Sequence, residues 1–141
     1  MFGNDRDSLR RQYLQAWALY RQGLPLDALQ QQIARVLADH PEYQTLVENE
    51  ASLEREYLPE FGETNPFLHM GLHLAIRDQV KTDRPAGIRE IYQKLLATYG
   101  GEAHQVEHRI IDCLAESLWQ AQRQNSAPVE AAYLQCVKLL T

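Results

Sequence analysis

Apolar residues recur at steps of three and four along most of the chain, the period of a helix with one buried face. Leu9, Tyr13, Ala16, Trp17 and Tyr20 form a first such stripe. Asp7 or Ser8 offers it an N-cap and Gly23 a stop. Pro25 suits the first turn of a second helix carrying Leu26, Leu29, Ile33, Val36 and Leu37. His40-Pro41 ends that helix, because the residue before a proline disfavours helical geometry. Glu42 to Tyr57 reads as one or two short helices, and Pro59 to Thr64 as a loop.

The second half is punctuated more clearly. Asn65-Pro66 is a cap followed by a first-turn proline, opening a helix to about Lys81. Asp83 to Pro85 restarts a helix that Gly100-Gly101 stops after Tyr99. A long helix follows from about Glu102 to Gln124, and Ser126 and Pro128 open the last, with Ala131, Leu134, Cys136 and Val137. No run of alternating β-branched residues suggests a strand. The expectation is an all-α fold, a single domain over 1–141 built as a bundle of about six helices.

Composition narrows the function classes. At 141 residues, 45% hydrophobic and 23% charged, the chain has the size and balance of one globular domain. No apolar stretch approaches the roughly 20 residues that span a bilayer. Met1 to Arg11 is polar and charged, unlike a secretory signal, so the expected location is cytoplasmic. Cys113 and Cys136 both lie within apolar helical patterns and read as buried free thiols. Net charge is −5 and Arg10-Arg11 is the only basic doublet, which argues against nucleic acid or a membrane as partner. A protein partner stays open. Walker, dinucleotide-glycine and nucleophile-elbow patterns are absent.

The candidate chemistry lies in histidine. Of five histidines, four form two pairs at i, i+4: His69 with His73, and His104 with His108. Such a spacing puts both imidazoles on one helix face, able to share a metal ion. The first pair continues as Ile76 and Val80, the second as Ile111, Ala115 and Leu118, so both pairs fall on the expected core-facing seams. Both lie in the first two turns of their helices, with one helix between. If the three run up, down and up, the pairs reach one level. By the same level argument Arg77 should pair with Asp112, four residues beyond His73 and His108 respectively. Glu107 and Glu116 are the carboxylates able to ligate, to orient a ligating histidine or, for Glu107, to act as a base. His40, before Pro41, is expected to cap a helix C-terminus rather than to ligate.

The segments Asn65-Pro-Phe-Leu-His-Met-Gly-Leu-His-Leu-Ala-Ile-Arg-Asp-Gln79, Thr82-Asp-Arg-Pro-Ala-Gly-Ile88, His104-Gln-Val-Glu-His-Arg109 and Trp119-Gln-Ala-Gln-Arg123 resemble a family of short all-helical bacterial proteins of unknown function. His40-Pro-Glu-Tyr43 and the Leu9 to Tyr20 stretch extend the resemblance over nearly the whole chain. It implies boundaries and no reaction. A looser similarity, of architecture only, links the pattern to metal-binding bundles of the DinB-like and hemerythrin-like kinds. The Glu-x-x-His pattern of di-iron carboxylate sites is missing, since Gln105 and Gly101 precede His108 and His104 by three.

Two functions lead on this reading, with a pH-responsive bundle, whose clustered imidazoles titrate near physiological pH, as a third. One is a transition-metal site for zinc, iron, nickel or copper, held by some of His69, His73, His104 and His108. The other is a non-catalytic protein-interaction module whose histidine cluster is structural.

Overall fold

A computed structural model describes residues 2–57 and 65–141, with side chains from residue 6 onward. Among these residues the fold is all-α: seven α-helices, two 3-10 segments and no strand. The helices are α1 (Phe2–Arg21), α2 (Ala28–Ala38), α3 (Pro41–Gln44), α4 (Pro66–Thr82), α5 (Ile88–Thr98), α6 (Ala103–Arg123) and α7 (Glu130–Lys138). The 3-10 segments, Leu46–Glu48 and Glu50–Leu53, fill the stretch expected to hold short helices. The chain divides into two compact units, Met1–Gly71 and Leu72–Thr141.

In the first unit α1 begins at Phe2, so Asp7 and Ser8 lie inside the helix and do not cap it. Gly23, at φ 70°, ends it as expected. The second helix also starts later than Pro25 suggests. Asp27 accepts the Gln30 N–H at 2.7 Å while the Gln30 side chain accepts the Asp27 N–H at 2.9 Å. This reciprocal box satisfies two donors that a helix start leaves open, and it fixes the first turn at Ala28. α2 then buries Ile33, Ala34, Val36 and Leu37, and α1 buries Tyr13, Ala16 and Trp17.

Arg10 is the unforeseen member of this core, only 4% exposed. Its guanidinium donates to the carbonyls of Ser52, Leu53 and Arg55 at 3.2, 3.3 and 2.7 Å. Those are the carbonyls that a helical end leaves without partners. The guanidinium also lies 4.9 Å from the Phe67 ring centre, and Phe67 meets Tyr13 edge-on.

The second unit has a core of Ile76, Ile88, Ile91, Leu95, Val106, Ile110, Leu114, Tyr133 and Val137. α5 starts at Ile88 and not at Asp83 to Pro85, because the Asp83 carboxylate accepts the N–H groups of Gly87 and Arg89 at 3.2 and 3.1 Å. This holds the intervening residues in a turn. Cys113 and Cys136 are not free thiols: they form a disulfide joining α6 to α7, with Cα atoms 5.8 Å apart. The apolar spacing that turns both cysteines toward the core, Cys113 buried and Cys136 half-buried, also sets them face to face. The thiols therefore give no argument for a reducing compartment. No described helix is long and apolar enough to cross a membrane.

Candidate metal centre

α4 and α6 carry four of the five histidines, and their starts are set locally. Asn65 caps α4, its Oδ1 accepting the N–H groups of Phe67 and Leu68 at 3.0 and 3.3 Å. Pro66 takes the first turn, where no N–H is needed. His69 and His73 follow, one turn apart on one face. Gly100 and Gly101, both at positive φ, end the preceding segment so that α6 begins at Ala103. Its first two turns then present His104, Glu107 and His108.

In the second unit His73 is fully buried and meets both histidines of α6. Its ring centre is 5.2 Å from that of His104 and 4.8 Å from that of His108, while His104 and His108 are 4.3 Å apart. The ligand nitrogens of His73 and His108 lie within 4.8 Å of each other. His73 Nδ1 donates to Glu107 Oε1 at 2.7 Å. Arg77 Nε donates to both oxygens of the same carboxylate, at 3.2 and 3.1 Å. A carboxylate accepts only, so the proton of that first bond belongs to Nδ1, and in the neutral ring the lone pair falls to Nε2. Burial pushes the Glu107 carboxyl up, but the bonds from His73 and Arg77 and the charge on Arg77 outweigh it and hold it below the usual carboxylate range. Glu107 is thus an ionised, almost completely buried carboxylate whose two oxygens are both engaged.

In the first unit His40 is also buried, 1% exposed. Its Nδ1 donates to the Val36 carbonyl in the last turn of α2 at 2.7 Å, so it caps that helix as the sequence suggested. Tyr43 stacks on its ring at 5.5 Å and 11°. His69 meets it edge-on, with ring centres 5.4 Å apart and ligand nitrogens within 4.8 Å.

The predicted site residues therefore fall into two groups. His73, His104 and His108 come together around Glu107 in the second unit, and His69 stands beside His40 in the first. The expected Arg77–Asp112 pair does not form: Arg77 bonds Glu107, and Asp112 is exposed. The reason lies in the face of α6 that is buried. Val106, Glu107, Ile110, Ile111, Cys113 and Leu114 are inside, whereas Ala115 and Leu118 of the expected seam are exposed. The buried face is turned about one residue from that seam, roughly 100°, which puts His108 at its exposed edge. Glu116 lies on the exposed side, where Gln120 donates to it at 3.0 Å. A pattern count treats a glutamate as a surface residue, so Glu107 did not mark the inward face. The loop expected over Pro59 to Thr64 lies outside the described residues.

A family model described as "Domain of unknown function (DUF1841)" matches residues 5–139 of the chain. No curated protein matches, and no solved structure does.

Proposed function

Since the chain belongs, over residues 5–139, to a family whose domain has no known function, we propose a function from the site's own chemistry: it binds a transition-metal ion through histidine nitrogens on α4 and α6. His73 and His108 are the leading ligands, with His104 beside them. One observation carries this reading. Buried His73 commits Nδ1 to an ionised carboxylate, the outer partner that commonly orients a ligating imidazole and raises its basicity.

The donor chemistry agrees. Cys113 and Cys136 are oxidised and both Glu107 oxygens accept hydrogen bonds, so among the described residues the metal-binding side chains beside His73 are the imidazoles of His104 and His108. Nitrogen donors favour zinc, nickel, copper or iron over the oxygen-seeking magnesium and calcium. Exposed His108 supplies the route by which an ion enters. With its oxygens engaged, Glu107 is suited to orient His73 rather than to serve as a base. A coordination position left to water would open metal-assisted hydrolysis, because zinc lowers the pKa of bound water to about 7.

Elemental analysis of the full chain purified without added metal tests the reading. One equivalent of metal is expected, lost when His73→Ala and His108→Ala are combined while the circular dichroism is retained. A wild-type chain that arrives metal-free and takes up neither Zn2+ nor Ni2+ more tightly than about 1 μM ends it.

The rival, an interaction module with a structural histidine cluster, draws support from Trp119, Val129 and Leu139, which are 49%, 58% and 76% exposed on and beside α6 and α7. It predicts no stoichiometric metal at any purity.

A further inference from the structure

Resting on that metal reading, we infer that the ion held by His73 and His108 takes a small oxyanion, of the carboxylate or phosphate class, as a further ligand. The substrate class of the site is then anionic. Charge balance within the second unit favours this. Imidazole ligands are neutral, so a divalent ion bound to them keeps both of its charges. The carboxylate beside them, Glu107, is already matched: Arg77 Nε donates to both of its oxygens, at 3.2 and 3.1 Å. The flanking carboxylates of α6, Glu102 and Asp112, are exposed, where water and salt screen them. Tyr92 of α5, whose phenol feels the charges of both Glu107 and Arg77, is neutral, since burial and Glu107 push its pKa up. A divalent charge beside fully buried His73 is costly unless an anion accompanies it.

The side from which a ligand arrives adds to this. His108 is exposed and His104 half-buried, so an incoming group passes over the first two turns of α6. The first N–H groups of that helix carry the positive end of its dipole, and Glu102 at the N-cap makes no side-chain bond to them. An uncapped helix start is too weak to select a ligand by itself, but here it lies beside the imidazoles and has the same sign as the ion. A neutral or cationic ligand leaves that charge unmatched. An anionic oxygen matches it and suits the open position that a three-ligand zinc site otherwise gives to water.

The test loads the full chain with Co2+, whose visible spectrum reports its ligands, and titrates acetate and, separately, inorganic phosphate. A pH of about 6.5 lies below the pKa of about 7 of metal-bound water, so hydroxide does not supply the missing charge. At constant ionic strength a saturable spectral change is expected with at least one of the two anions, half-complete below about 10 mM. The tighter of them assigns the class. Two variants then separate charge from architecture. Arg77→Met frees the Glu107 charge to balance the ion, so Co2+ affinity should rise and anion affinity fall, each about tenfold. Glu107→Gln leaves the Arg77 charge beside the ion and should do the reverse, whereas simple loss of structure weakens both kinds of binding in both variants. Wild-type chain that binds Co2+ with a spectrum indifferent to both anions overturns the inference and leaves the metal reading standing, as do anion affinities unchanged in both variants. Wild-type chain that takes up neither Co2+ nor Zn2+ removes both. If Arg77→Met does not fold, the wild-type titration and Glu107→Gln decide.

Discussion

In the first unit Arg10 and His40 are buried against main-chain carbonyls at the ends of helical segments. In the second, His73 is buried against Glu107, and Glu107 is held in turn by Arg77. The first arrangement uses partners that every helix end supplies. The second depends on three side chains from two helices meeting in one place. Removing one member therefore has different consequences. A carbonyl that loses Arg10 is a neutral acceptor, whereas a carboxylate that loses Arg77 is a charge almost sealed from solvent.

The largest expected effect follows from that difference. Arg77→Met leaves Glu107, with its side chain 5% exposed, compensated by His73 alone. Breaking a buried pair from one side costs about 3–5 kcal/mol. Arg77 is itself 25% exposed, so about 3 kcal/mol is expected in urea unfolding. A loss below roughly 1 kcal/mol would mean that the triad is solvated and adds little.

Arg10→Met should cost less, about 1–2 kcal/mol, since it removes hydrogen bonds to neutral groups while keeping much of the apolar stem against Phe67. If it costs more than Arg77→Met, the contrast between the two units is reversed. The second 3-10 segment would then depend on its arginine more than α6 depends on its ion pair.

Much of the fold was legible because local signals set it. Asn65-Pro66, Gly23 and Gly100-Gly101 mark real helix ends, since caps and positive-φ glycines act within a few residues. The misplaced starts of α2 and α5 had local causes too, the Asp27–Gln30 box and the Asp83 carboxylate, but each competed with a nearby proline that pointed elsewhere. The site was legible only as far as helical spacing reaches. His69 and His73 share a face of α4 whatever surrounds them. That Arg77 meets Glu107 and not Asp112 depends on which face of α6 is buried, and Glu107 sits on that face with Cys113, against the usual preference of a glutamate. The neighbour of His40 was hidden for a related reason: the proline after it explained the histidine as punctuation, and its contact with His69 is tertiary.

The smallest expected effect is on acid stability, and it too separates the units, because among the described residues only the second buries an ionised carboxylate between such partners. Burial raises the Glu107 carboxyl, yet the His73 and Arg77 bonds and the Arg77 charge leave it below its ordinary value of 4.5. A carboxyl that binds its proton less tightly when folded adds stability that is fully present above the unfolded pKa. That stability is lost as pH falls through the folded one. The contribution should therefore be constant from neutral pH down to about 5 and decline below about 4.5. Protonation leaves the side chain in place and still able to accept from Arg77, which is why the change should be smaller than either arginine replacement. Comparing urea unfolding of wild type with Glu107→Gln isolates it, since the other carboxylates are common to both. The stability difference between the two should shrink on acidification. A difference that stays the same from neutral to acid pH would mean that Glu107 titrates alike in the folded and unfolded chains, and that Arg77 and His73 do not hold its charge.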